Sequence, residues 1–261
     1  MQTAERISSQ DVSDHVIYQR HLVAYHAAAG LIGGAVLEIG CGEGYGIGIL
    51  APHATQYQAL DKYRTHLPPA AANLPHVAFK QADVPPLPFN DNSFDAVVSF
   101  QVIEHIENDN EFVGEIYRVL KPGGLLILST PNITMSLTRN PWHVREYTPQ
   151  QLHDLLCRRF EQVDIQGVFG NDRVMEYYEK NKASVQRFTR FDIFNLQYRL
   201  PRQLLQIPYD LLNRLNRRLL LKGNQQLVTN IEQTDYHLAP ANQTCFDLFA
   251  IARKGTAQHI P

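Results

Sequence analysis

The chain has 261 residues, 44% hydrophobic and 19% charged, a composition that fits a folded globular protein and argues against a disordered one. Its net charge of −2 gives no overall pull toward nucleic acid or an anionic membrane. Cys41, Cys157 and Cys245 are odd in number and widely spaced, with no CxxC pair, which argues against a disulfide framework or a structural zinc. No apolar run approaches the length of a membrane span, and the first nine residues carry no signal pattern, so the cytoplasm is the expected location.

Apolar spacing predicts a helix over residues 12–30, with Gly30 at its stop. The short apolar run 35–39 reads as a buried strand. Further strands are expected at 57–60, 77–81, 96–100, 125–129, 163–168 and 246–251, and helices at 44–51, 63–72, 110–120 and 149–157. This alternation implies βαβ units and a mostly parallel sheet covered on both faces. Lys121-Pro122-Gly123-Gly124 turns a helix into a strand. Thr148-Pro149-Gln150-Gln151 combines an N-cap, a first-position proline and a capping box.

Roughly seventy-five residues separate the strand near Val168 from the last strand, far more than a crossover needs. They read as helical, with aromatic residues Phe188, Phe191, Phe194 and Tyr198. A second stripe follows, formed by Leu204, Leu205, Pro208, Leu211, Leu212, Leu215 and Leu219. Residues 187–222 hold eight Lys/Arg and two Asp, a local charge of +6 that leaves −8 for the remainder. Basic residues beside leucines suit a membrane-surface helix or a phosphate-bearing substrate. The favoured reading is a cap helix that packs its leucines on the domain, with peripheral membrane contact as the alternative. Pro208 weighs against a single membrane helix.

The sequence Val36-Leu37-Glu38-Ile39-Gly40-Cys41-Gly42-Glu43-Gly44 runs a strand directly into glycines at alternate positions. Glycine allows a tight turn and lets a ligand approach the backbone without a Cβ between them. The following helix offers free amide groups to polar ligand atoms. A nucleotide-type cofactor site at a strand's carboxyl end is implied. The dinucleotide fingerprint fails, because Tyr45 stands where its third small residue belongs in the frame starting at Gly40. No Gly-Lys-Ser/Thr follows to make a P-loop.

The pattern Glu38-x-Gly40-x-Gly42-x-Gly44 resembles the first motif of class I S-adenosylmethionine (SAM)-dependent methyltransferases of the type 11 group. Asp61 at the end of the second strand, Gln81-Ala82-Asp83-Val84, and Leu120-Lys121-Pro122-Gly123-Gly124 resemble its later motifs, in order, over roughly residues 35–130. The resemblance implies a Rossmann-like α/β fold with a seven-stranded, mostly parallel sheet, helices on both faces and a helical insertion before the last strand. It divides the chain into an N-terminal helical segment (1–34), a SAM-binding core (35–170), a helical cap (171–244) and a last strand with tail (245–261).

The same resemblance implies SAM as cofactor, bound through Glu38, Gly40, Cys41, Gly42, Gly44, Asp61, Lys62, Asp83, Val84, Phe100 and Gln101. Asp61 would take the ribose hydroxyls, since a carboxylate can accept from two at once. Asp83 would take the adenine amine, with Val84 beside the ring.

Methyl transfer from a sulfonium needs positioning and exclusion of water, and a general base only if the acceptor must lose a proton. Gln101-Val102-Ile103-Glu104-His105 resembles the Glu-x-x-Glu-His metal stretch of some quinone and RNA 2′-hydroxyl methyltransferases. Its first glutamate is replaced by Gln101, so no metal is expected. His105 and His143 are the candidate bases. Trp142, His143, Arg145 and Tyr147, in a stretch resembling His-x-Arg-Glu-Tyr-Thr, are the candidate acceptor contacts.

The acceptor stays open among a small molecule, a quinone-like lipid and a glycan precursor, through O- or N-methylation. A SAM-binding protein without catalysis and a nicotinamide-dependent oxidoreductase are the rivals. Nucleic acid is not expected as partner, because the Asn/Asp-Pro-Pro-Tyr/Phe tetrapeptide and an extended basic face are both missing.

Overall fold

The computed structural model describes residues 6–64, 74–190, 192 and 194–256. The expected helix over 63–72 and the expected cap residue Phe191 fall largely or wholly outside them. A 3-10 turn at Val12–Asp14 leads into α1 (His15–Ala29), which ends at Gly30 as the spacing predicts. The strands are β1 (Ala35–Ile39), β2 (Gln56–Asp61), β3 (Val77–Gln81), β4 (Phe94–Phe100), β5 (Leu120–Pro131), β6 (Gln162–Gly170), β7 (Tyr236–Pro240) and β8 (Asp247–Arg253). They form one sheet in the order β3-β2-β1-β4-β5-β8-β6-β7. β1 through β5 pair in parallel, while β8 runs antiparallel between β5 and β6.

Side-chain alternation divides the core into two layers. Leu37 and Ile39 of β1 join Val97 of β4 on one face, where α3 (Asp109–Val119) adds Phe112, Val113 and Ile116. α4 (Pro149–Leu156) covers the same face with Leu152, Leu155 and Leu156, and starts on the predicted Thr148/Gln151 capping box. The opposite face holds Val36, Ala96 and Val98 under α1 and the short α2 (Ile47–Leu50). Strands buried on both sides explain the continuous apolar runs.

The sheet has eight strands where seven are expected. The additional β7 pairs antiparallel with β6 along the sheet edge. It lies within the 171–244 segment, which is therefore not wholly helical. Its brevity and its terminal Pro240 hide it from a sequence reading, since proline is tolerated only where no ladder donor is needed.

The insertion itself consists of α5 (Asp172–Thr189), α6 (Leu196–Arg199), α7 (Arg202–Gly223) and α8 (Gln225–Thr229). Here the packing differs from the favoured reading. Leu204, Leu211, Leu212, Leu215 and Leu219 of α7 are exposed, and the helix buries Asn216, Arg217 and Leu220 instead. Arg217 pairs with Asp14 at 2.6 Å, and Asn216 bonds Ser184 and Asn181 of α5. These polar contacts share the inward face with Leu205, Pro208 and Leu212, and leave Leu204, Leu211, Leu215 and Leu219 turned outward.

α1 lies so close to the turn before α2 that a Cβ built on Gly46 would sit 1.8 Å from Tyr25 Cε1. Gly46→Ala is therefore expected to destabilise the protein by about 1–3 kcal/mol. A denaturant midpoint equal to that of the wild type would refute the tight packing.

Candidate active site

Parallel register places the carboxyl ends of β1, β2, β3 and β4 along one edge of the sheet, with Ile39 beside Leu60 and Asp61 beside Gln81. The chain leaves β1 through Gly40, Gly42 and Gly44, which have φ of +81°, +55° and +81°. Only glycine adopts such angles without strain. Both Gly40 and Cys41 donate their amides to the Leu60 carbonyl, which pins the turn to β2. A Cβ on Gly40 would strike Val102 Cγ2 at 2.3 Å, whereas one on Gly42 meets nothing within 4 Å. That open flank is where a ligand can reach the backbone.

Asp61 is 8% exposed and accepts from the amides of Gly42 at 2.8 Å and Tyr63 at 2.8 Å. A carboxylate has further lone pairs for two hydroxyls of a bound ligand. Asp83 and Lys62 form an exposed pair at 2.8 Å on the rim, and Val84 is half-buried beside them. Phe100 is buried at the end of β4 and meets Tyr25 edge-on at 4.8 Å. Gln101 takes φ +57°, and its side chain bonds Ser129 Oγ.

Glu38 does not face solvent. At 1% exposure, its two carboxylate oxygens accept from Tyr25 at 3.0 Å and Tyr57 at 2.7 Å. It thereby joins α1, β1 and β2 directly beneath the glycine turn. Burial pushes its carboxyl up to about 7, opposed in part by the two tyrosine hydrogen bonds.

Beyond β4, a 3-10 turn carries Glu104 and His105. Glu104 is 1% exposed, accepts from Thr130 Oγ1 at 2.9 Å, and receives the amides of Val144 and Arg145 on its carbonyl. Burial raises its carboxyl, while the nearby His105 and His143 oppose that rise. His105 Nδ1 lies 3.2 Å from the Trp142 carbonyl, which makes that nitrogen the protonated one. His143 Nδ1 is 2.7 Å from Glu146 Oε1, and its Nε2 is 2.9 Å from Asn140 Nδ2. The two imidazoles meet edge-on at 4.9 Å.

Ligand atoms of Glu104, His105 and His143 lie within 4.8 Å of one another, close enough to share an ion. Yet Thr130 holds one Glu104 oxygen, and protein groups occupy both nitrogens of His143.

Glu104, His105 and His143 border a cavity of about 640 Å³. Its walls come from α1 through Val16 and Ile17, from α5 through Tyr177 and Phe188, and from α7 through Leu205 and Leu212. The other candidate acceptor contacts point elsewhere. Trp142 donates its indole N–H to Asp210 of α7 at 2.9 Å. Arg145 pairs with Asp109, and Tyr147 donates to the same carboxylate at 2.9 Å. None of these three lines the cavity.

Arg6 and His21 escaped the sequence reading, whereas Arg20 was expected on a helix over the cofactor without an assigned contact. Arg6 donates to the Gly42 carbonyl and stacks on Tyr63, and His21 meets Tyr45 at 3.2 Å. Arg20 pairs with the buried Asp247 at 2.9 Å. All join residues distant in sequence, so no local spacing signals them.

A glycine turn at the carboxyl edge of a parallel sheet, beside an acidic strand end, is the arrangement expected of a class I methyltransferase. The comparisons agree. The family model described as a methyltransferase domain matches residues 37–128. A probable S-adenosylmethionine-dependent methyltransferase of Mycolicibacterium smegmatis is 38% identical over 190 residues, spanning 70% of this chain and 74% of its own. A phthiotriol/phenolphthiotriol dimycocerosates methyltransferase of Mycobacterium leprae is 30% identical over 165 residues, 59% of this chain and 58% of that one. A SAM-dependent methyltransferase of Thermotoga maritima shares the fold, with a TM-score of 0.56 at 14% identity over 93% of this chain and 91% of that one. The chain belongs to the S-adenosylmethionine-dependent methyltransferases, and SAM is its cofactor.

Because the folded carboxyl of Glu38 stands at about 7 against an ordinary 4.5, the unfolded chain releases this proton first as pH rises. The associated stability is complete below the unfolded value and is lost as pH passes the folded one. Measured against Glu38→Gln, wild-type stability should fall by roughly 3 kcal/mol from about pH 5 to about pH 8. Parallel unfolding curves for the two proteins across that range would contradict it. Asp61→Ala should weaken SAM binding at least roughly tenfold in calorimetric titration, since charged hydrogen bonds contribute about 1.5–3 kcal/mol; unaltered affinity would remove Asp61 from the site.

Proposed function

We propose that this methyltransferase transfers the SAM methyl group to a hydroxyl of an apolar, lipid-like acceptor held in the cavity beneath the cap. The observation that carries the reading is the cavity itself, whose walls mix apolar residues such as Ile17, Phe188, Leu205 and Leu212 with polar ones from α1 and α7, and which reaches Glu104, His105 and His143. In support, a relative matching over part of the chain is named for a phthiotriol substrate, a lipid.

In this reading the Gly40–Gly44 turn with Cys41 carries the methionine part of SAM. Asp61 takes the ribose, Lys62, Asp83 and Val84 surround the adenine, and Phe100 and Gln101 flank the sulfonium. The exposed Lys62–Asp83 pair is weak enough to rearrange around the base. Glu38 acts by holding the turn. SAM supplies a methyl group on a leaving group that is already activated. An acceptor oxygen attacks that carbon in line, the carbon–sulfur bond breaks with its electrons passing to sulfur, and the hydroxyl proton is taken by a base.

His105 is assigned that base. The Trp142 carbonyl holds its Nδ1–H, leaving Nε2 as the acceptor. His143, fixed by Glu146, packs against the ring and positions it. Trp142, Arg145 and Tyr147 shape the loop through Asp210 and Asp109 instead of touching the acceptor. Residues 171–244 serve as the cap over the 35–170 core. Among the described residues Cys41, Cys157 and Cys245 form no disulfide, which supports a reducing, cytoplasmic setting, and no helix is long and apolar enough to cross a membrane.

A screen with methyl-labelled SAM and lipid alcohols, sugars and amines tests the acceptor class. Label is expected in a lipid alcohol, and exclusive labelling of a water-soluble amine or sugar would overturn the reading. With the acceptor found, His105→Ala should lower kcat by about 10²–10⁴-fold with SAM affinity retained. Wild-type turnover in that variant removes His105 as base. Turnover should also survive a chelator; a loss restored by magnesium would assign Glu104, His105 and His143 to a metal.

A further inference from the structure

The cap keeps a long apolar stripe in solvent. Along α7, Leu204, Ile207, Leu211 and Leu215 recur at helical spacing and are 66%, 71%, 67% and 46% exposed. Leu219 extends the stripe at 47%. Phe194 and Tyr198, at 63% and 62% exposed, add aromatic surface just before it. The inward side of the same helix carries Tyr209, Asn213, Asn216 and Arg217 against the cavity, together with Leu205, Pro208 and Leu212. A surface helix normally leaves no second apolar stripe in solvent. An apolar stripe of this length is the mark of an interaction site.

Charge identifies the occupant. The segment 187–222 carries +6 while the remainder of the chain carries −8, and Arg187, Arg190, Arg199, Arg218 and Lys222 are exposed along it. A second copy of the chain would meet this face through a two-fold axis, placing the exposed Arg187, Arg190, Arg199, Arg218 and Lys222 against the same cations of its copy. An anionic lipid surface offers the complementary charge together with an apolar layer for the leucines. The cavity wall continues the argument, because Leu205 and Leu212 of the same helix line the acceptor space.

We propose that α6 and α7 dock the enzyme on the surface of an anionic bilayer, with the leucine stripe in the headgroup–acyl boundary, so that a lipid acceptor passes from the membrane into the cavity along α7. The purpose assigned here rests on the lipid-acceptor reading; the docking itself rests only on the exposed stripe and its charge.

The test is co-sedimentation of the purified chain with vesicles of phosphatidylcholine alone or mixed with phosphatidylglycerol. Binding to the anionic vesicles should be roughly tenfold or more the tighter and should weaken as salt is raised. Leu211→Asp together with Leu215→Asp should abolish it, while SAM affinity and far-ultraviolet circular dichroism stay at wild-type values. Neither residue lines the cavity. Should the double variant misfold, Arg218→Glu with Lys222→Glu gives the same readout through charge alone. Absence of wild-type binding at low salt, equal binding to both vesicle types, or unchanged binding by folded variants overturns the proposal. A wild-type dimer that the leucine variant converts to a monomer overturns it too, by giving the face to a second copy. None of these measurements uses turnover, so failure of the lipid-acceptor reading leaves them separately interpretable.

Discussion

Burying the Glu38 carboxylate between two tyrosine hydroxyls ties together the pieces that must be in register for the cofactor turn to exist. Tyr25 comes from α1, Tyr57 from β2, and Glu38 itself from the last turn of β1 before the glycines. An unpartnered carboxylate in that position would cost several kcal/mol. The two hydrogen bonds therefore make the position of α1 conditional on the strand pair, and the reverse. Once Tyr25 is placed, Gly46 has to lack a side chain and Phe100 packs against the ring edge. The site is thus assembled from the N-terminal helix inward, and α1 is a structural part of it.

What the sheet contributes is an edge. Five parallel strands bring Gly40, Asp61, Asp83 and Gln101 to the same side because each follows the carboxyl end of its strand. Antiparallel neighbours would have sent alternate residues to opposite ends. The pinning of Gly40 and Cys41 to the Leu60 carbonyl, and of Gly42 to Asp61, converts that general edge into a cradle of fixed shape. Polar atoms already satisfied in this way need no reorganisation when a ligand arrives, which is the source of preorganisation at such sites.

The chain up to the Thr148 capping box was legible because its information is local. Buried strands read as apolar runs, and the glycine turn, the Lys121–Gly124 turn and the Thr148 capping box each lie within a few consecutive residues. The acceptor side was legible only in part. His143 was visible as a residue type, whereas its fixation by Glu146 and Asn140 depends on loop geometry. Trp142, Arg145 and Tyr147 look like recognition residues in sequence, yet their partners Asp210 and Asp109 come from elements far along the chain. β7 was missed because a five-residue edge strand ending in proline carries too little pattern to compete with its helical surroundings.

The misreading of α7 has the most physical content. A leucine stripe predicts burial, and here the inward face is held by Arg217 on Asp14 and by Asn216 on Asn181 and Ser184. Fully burying a leucine or isoleucine side chain contributes about 1.5–3 kcal/mol, so the exposed stripe withholds several such terms from folding. Satisfied polar contacts make that arrangement tolerable, since none of these buried groups is left to water or to vacuum. The withheld apolar area stays on the outer side of α7. A helix turned to bury those leucines would break the Arg217–Asp14 pair and the Asn216 bonds that now hold it to the N-terminal turn and to α5, so the exposed stripe and the buried polar contacts are two sides of one choice of orientation.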